Sequence, residues 1–199
     1  MKIAYQAVVY DATQHGEHGQ TAFFDSVRGL ASGTWLSGYT AGKTKHHHEG
    51  TIHVSRSRDD AHTWERLSWQ FEKQLDGIPG SLAGAEMVEV EPGRVLLFST
   101  WFDRTDPERP LFDPETEGIL RSRMLVCEST DEGDSWSNWR EIPTPGLTGC
   151  AMTGPIVQWP GGTLGFNFES FKEFDDPPPV EPGAWLLLSD DGGRKFARL

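Results

Sequence analysis

The sequence is short of cysteine, of long apolar runs and of positive charge. Its two cysteines, Cys127 and Cys150, make neither a disulfide framework nor a metal-ligand spacing. Cys127 follows Met124, Leu125 and Val126, which marks it as a buried structural thiol. No stretch approaches the roughly 18 consecutive apolar residues that a spanning helix needs, so no membrane partner is expected. Lys and Arg number 18 against 30 Asp and Glu, and the formal net charge is -12. With no basic stripe, electrostatics argue against nucleic acid as a partner. Met1 to Asp11 lacks the apolar run and basic start of a signal peptide. Cytoplasmic localisation is therefore expected unless a leader has been removed. Helical periodicity is missing from every window of about 12 residues or more.

What the sequence does have is aromatic residues and turn formers. There are 8 Trp, 11 Phe, 22 Gly and 13 Pro, and strand-length apolar runs alternate with Gly/Pro/Asp clusters. That pattern predicts an all-β protein built from many short strands.

One octapeptide recurs. It reads Ser57-Arg58-Asp59-Asp60-Ala61-His62-Thr63-Trp64, then Ser129-Thr130-Asp131-Glu132-Gly133-Asp134-Ser135-Trp136, then Ser189-Asp190-Asp191-Gly192-Gly193-Arg194-Lys195-Phe196. Upstream of each copy lies a tight turn followed by an apolar strand, around Gly33, Gly93 and Gly162. Strands are also expected before each turn (21–30, 83–90 and 151–159) and before each octapeptide (51–56, 119–128 and 184–188). Each unit reads as a four-stranded antiparallel meander, the blade of a propeller. The Asp carboxylate can accept hydrogen bonds from turn N–H groups. The fifth residue tolerates a left-handed backbone, and the terminal aromatic packs between blades. The aspartates are therefore read as hairpin staples, not catalysts.

The octapeptide resembles the Asp box, or BNR repeat, and the chain is similar to the N-terminal half of a sialidase-superfamily propeller. The resemblance implies an all-β, sialidase-type β-propeller, with three four-stranded blades of a six-bladed ring. The blades are expected at about 21–70, 82–142 and 150–199, with Lys2 to Tyr10 as the closing strand of the last blade. The box residues are Ser57, Asp59 and Trp64; Ser129, Asp131, Gly133 and Trp136; and Ser189, Asp191, Gly193 and Phe196. The chain then reads as a partial propeller or fragment, whose open edges would allow self-association, including pairing of two half-rings.

If the innermost strand runs downward, the turns and Asp boxes lie on the bottom face. The longer connections (11–20, 41–50, 71–82, 101–118, 143–150 and 169–183) lie on top, where sites usually sit on a rigid scaffold. Four groups stand out. His46, His47, His48 and Glu49 share one loop, and His15, Glu17 and His18 another. Such residues suit zinc, but adjacent histidines rarely point the same way, so no metal and no cofactor are expected. Glu49 is retained as a candidate general acid and His48 as a glycan contact. Trp101, Asp103, Arg104, Asp106 and Arg109 form a group suited to stacking on a sugar and bonding its oxygens. Glu169, Lys172, Glu173, Asp175 and Asp176, before Pro177-Pro178-Pro179, form another. Glu86, on an inner strand, faces the channel as a catalytic candidate or forms a structural ion pair.

Active members of the resembled family use three arginines, an Asp acid/base and a Tyr–Glu pair. Here the first inner strand reads Ala22-Phe23-Phe24-Asp25-Ser26-Val27-Arg28, without the family's Arg-Ile-Pro motif. Asp25 and Arg28 are the nearest catalytic and binding candidates. Loop 41–50 lacks the expected Asp, whereas Thr153-Gly154-Pro155 is similar to an inner-strand stretch of the family. The resemblance implies an exo-α-sialidase-like hydrolase acting on terminal sugars of glycans, inactive in this fragment. The alternatives are a non-catalytic propeller that binds a glycan or protein opposite the Asp boxes, and a propeller enzyme of other chemistry.

Overall fold

The computed structural model describes residues 5–15, 20–177 and 182–198. The first sheet contains β1 (Thr21–Gly29), β2 (Trp35–Gly42), β3 (Thr51–Ser57) and β4 (Glu65–Arg66) in sequence order. The second contains β5 (Gly80–Glu91), β6 (Arg94–Asp103), β7 (Ser122–Ser129) and β8 (Arg140–Ile142). The third contains β9 (Gly149–Met152), β10 (Val157–Gln158), β11 (Leu164–Phe171), β12 (Gly183–Ser189) and β13 (Ala197–Arg198). All pairings within the sheets are antiparallel, and β9 and β10 both pair with β11. They are two halves of one innermost strand. Pro155 has no N–H to donate to a ladder, so the strand divides across Thr153–Ile156.

Strand alternation explains how the blades stack. In β6, Val95 and Leu97 enter the core shared with the first blade, while Leu96 and Phe98 enter the core shared with the third. The middle sheet is therefore buried on both faces, and β6 reads as an almost unbroken apolar run. Cys127 lies in the first core and Cys150 in the second. Burial raises both thiols, Cys150 to about 11.

All three octapeptides form the same turn. The Ser hydroxyl donates to the Asp carboxylate at 2.8–2.9 Å and accepts the N–H of the fifth residue (Ala61, Gly133 or Gly193) at 2.9–3.1 Å. The Asp accepts the seventh residue's N–H at 2.9 Å in each copy. The fourth and fifth residues are both left-handed in every copy, including Asp60 and Ala61 at φ 59° and 65°. Trp136 packs on Phe71, and Phe196 on Phe98 and Phe166, so these aromatics fill the seams between blades.

Within the expected closing segment, Tyr5 to Tyr10 pairs with no strand among the described residues. It packs on the first blade instead. Tyr5 stacks on His62 at 4.2 Å and donates its hydroxyl to the Asp60 carbonyl, while Tyr10 meets Tyr39 at 5.0 Å. Lys2, at the start of the expected closing strand, lies outside the described residues. No helix among the described residues is long and apolar enough to cross a membrane.

Candidate functional site

The inner strands share an irregularity. In β1, Phe23 pairs with Thr40 and Ser26 with Gly38, leaving Phe24 and Asp25 bulged. In β5, Ala83 pairs with Thr100 and Glu86 with Phe98, leaving Gly84 and Ala85 bulged. In the third blade the gap between β9 and β10 falls at the matching place. Bulges re-aim side chains, and they concentrate beside sites. Phe24 takes φ 51°, rare for a bulky residue. Gly84 takes φ 78°, and a Cβ there would lie 2.6 Å from the Met152 methyl of the next blade.

The long loops meet at the end of the blades opposite the octapeptides. Arg104 Nη2 donates to the His46 carbonyl at 3.1 Å, joining the first and second blades. The Ile119 N–H donates to the Lys172 carbonyl at 3.1 Å, joining the second and third. Between these ties opens a cleft of about 200 Å³. Its floor includes Gly84, Met152 and Thr153, and its wall carries Phe24, His46, Phe112 and Phe171. These four rings are in sequential contact, with centroids 6.1, 6.0 and 5.5 Å apart. Lys45 and Glu169 bring one charge of each sign, and Lys45 Nζ lies 5.0 Å from the Phe24 centroid. Burial lowers the His46 pKa, with Lys45 and Arg104 adding to the effect.

Asp25, Arg28 and Glu86 come together on the adjoining inner strands β1 and β5. Arg28 Nε donates to the Met87 carbonyl at 3.0 Å. Glu86 is half-buried, and its pKa is raised, first by burial and then by Asp25, against the pull of Arg28. Asp25 is exposed. Glu169 belongs to the cleft itself.

The other expected site residues are placed elsewhere. Trp101 is not on a loop but in β6, 1% exposed, with its ring N–H bonded to the Lys73 carbonyl at 2.8 Å. It is a core residue, since Gly80 leaves room for the indole, which closes off any sugar-stacking role. Arg104 is likewise buried, with its donors on Ser81 Oγ, the Arg109 carbonyl and the His46 carbonyl. Asp103 caps its own turn by accepting the Thr105 N–H at 2.8 Å. With Asp106 and Arg109 it borders a separate, polar depression. Lys172 Nζ donates to the Asp176 carbonyl and faces away from the aromatic cleft. His48 and Glu49 border a third depression, with Glu72, Lys73 and Arg104. Glu17 and His18 lie outside the described residues.

The expectation that adjacent histidines diverge is corrected here. His47 and His48 stack at 4.4 Å, and with Glu49 they offer ligand atoms within 4.8 Å of one another. These types could hold a divalent cation. The Glu49 N–H already occupies His47 Nδ1 at 3.2 Å, however, and the charges of Lys43 and Arg104 bear on the same imidazole.

Sequence reasoning missed Phe24, Lys45, Phe112 and Phe171. The bulge that turns Phe24 outward leaves no composition signal. Phe112 and Phe171 read as ordinary apolar residues until the loops are folded together.

No protein-family model and no curated protein matches the chain. Solved structures do. A protein of unknown function from Dyadobacter fermentans aligns at TM-score 0.67 and 16% identity over 90% of this chain and 54% of its own. The leech intramolecular trans-sialidase, complexed with 2,7-anhydro-Neu5Ac, aligns at TM-score 0.68 and 12% identity over 99% and 46%. An α-L-arabinofuranosidase from Fusarium graminearum, complexed with an iminosugar inhibitor, aligns at TM-score 0.58 and 14% identity over 89% and 50%. The chain spans about half the length of these proteins. The fold is therefore all-β, three blades of a sialidase-type propeller.

Proposed function

We propose that this chain belongs to a glycan-acting protein of glycoside-hydrolase type, with its sugar site in the aromatic cleft at the loop end. One observation carries the reading: the β5 bulge sets Glu86, a half-buried carboxyl with a raised pKa, two residues from Gly84 in the floor of the aromatic cleft. Glycoside hydrolysis needs one carboxylic acid to protonate the leaving oxygen and a second carboxylate opposite it. A raised pKa suits the acid role. Glu86 is the candidate acid, and Asp25 and Glu169 are the candidate partners.

A panel of fluorogenic exo-glycosides, including an α-sialoside and an α-L-arabinofuranoside, tests the reading. Release of fluorophore that falls at least a hundredfold in Glu86→Gln supports it. The exo-α-sialidase form of the reading adds a further need, a cationic seat for the substrate carboxylate. A second reading, a non-catalytic glycan-binding propeller, is favoured by the Arg28 side chain, which is engaged with the Met87 carbonyl. Glycan binding without release from any substrate in the panel would select it.

A further inference from the structure

We propose that the cleft takes an uncharged sugar ring, presented by its C–H face, and not a sialic acid. This rests on the reading of the cleft as a glycan site. The wall is the first argument. Phe24 and Phe112 are 40% and 37% exposed, large for phenylalanine, and both line the cleft. The left-handed bulge at Phe24 holds its ring outward where a regular strand would alternate it. Exposed rings at such cost in burial and backbone strain suit stacking on an apolar sugar face.

Charge is the second argument. Among the described residues no arginine lines the cleft, and Lys45 is its one lysine, set over the Phe24 ring. Glu169 shares the same walls. A substrate carboxylate would meet that anion and a chain of formal charge -12. The nearby arginines are engaged: Arg28 with the Met87 carbonyl beside Glu86, and Arg104 with three neutral acceptors in the loop base. Arg104 therefore offers no two-pronged grip of the kind carboxylate recognition uses, and the charge of Arg28 already acts on Glu86. An uncharged ring needs no such grip. Its hydroxyls can bond Glu169 and Thr153, which border the same space.

Ligand-observed saturation-transfer NMR on the full chain tests this, using neutral methyl pyranosides and furanosides against a methyl α-sialoside. Phe24→Asn removes the ring but keeps a residue that tolerates the left-handed backbone, and Phe112→Ser removes the facing ring. Thermal melting confirms that both variants are folded. The expected result is binding of a neutral glycoside, weakened at least tenfold by each variant, with no signal from the sialoside. Preference for the sialoside would overturn the inference and leave the glycan site standing. Neutral binding that ignores both substitutions would also overturn it, because the sugar would then sit elsewhere. Silence from every sugar would remove the glycan reading itself.

Discussion

Arg94 Nη1 donates to the carbonyl oxygen of Gly192 at 2.9 Å, tying the second blade to the third blade's octapeptide. The matching residue of the second octapeptide, Glu132, accepts from Arg56 Nη1 of the first blade at 3.3 Å. In the first octapeptide that carbonyl, on Asp60, accepts from Tyr5. The fourth residue is left-handed in every copy, which turns its carbonyl outward to the neighbouring element. The octapeptides are therefore ties between blades as well as hairpin staples.

Arg56→Met should loosen the first seam. Arg56 is buried, and it also bonds Glu65 at 2.8 Å and Asp134 at 2.9 Å. Both carboxylates are more than half exposed and return to water when the arginine is lost. The expected cost is about 1.5–3 kcal/mol, the range for hydrogen bonds to charged groups. Urea unfolding would show it as a lower midpoint with unchanged slope. An unchanged midpoint would mean the tie contributes nothing.

Gly193→Ala should be worse than its chemistry suggests. The position has φ 80°, and a Cβ there would lie 2.3 Å from a Leu96 methyl in the preceding blade. Strain and overpacking together cost on the order of 2–4 kcal/mol. The first octapeptide already carries Ala61 at φ 65°. Ala61→Gly should therefore stabilise, by about 1 kcal/mol. Opposite shifts in the thermal midpoint of the two variants are the expected outcome.

These turns were legible in the sequence because their constraints are local. Ser, Asp, a left-handed fifth residue and an aromatic lie within eight positions, and the tight turn before each copy numbers the strands. The all-β blades and the end that carries the long loops followed from that order. The site was less legible. Trp101 reads as a loop aromatic because a β-strand of the length of β6 cannot be told from a shorter one by composition. Phe24 did not stand out because a bulge reverses the face of a residue without changing its identity. Glu86 stood out because it is a carboxylate within an apolar strand, whereas Glu169 read as a loop charge and lies in β11.

The octapeptide aspartates predict acid sensitivity. Hydrogen bonds from Thr63, first its hydroxyl and then its N–H, with Ser57 adding to them, hold Asp59 down at about 2. Burial opposes the lowering at Asp131, but the Ser135 and Ser129 bonds outweigh it. The folded-state pKa of Asp59 lies below the unfolded value of 3.8, so the ionised form stabilises the fold above about pH 4. That contribution is lost as the pH falls towards 2. The thermal midpoint should drop across this window, and Asp59→Asn should flatten the drop. Parallel curves for the two proteins would count against it.

Glu86 predicts the opposite slope. Burial raises its folded-state pKa above the ordinary value of a glutamate, with Asp25 adding and Arg28 subtracting. The folded chain thus holds this proton more tightly than the unfolded chain does. The resulting stability is complete below about pH 4.5 and is lost as the pH rises through the folded-state pKa. At neutral pH the ionised carboxylate is a cost that the fold carries, as functional carboxylates often are. Glu86→Gln, close in shape to the protonated acid, should raise the thermal midpoint at pH 7 and leave it unchanged near pH 4. If the variant instead lowered the midpoint at pH 7, the carboxylate would be held by Arg28 as a structural ion pair, and the acid role would pass to another residue. The two measurements at different pH distinguish these cases, because only an uncompensated carboxylate gains from neutralisation.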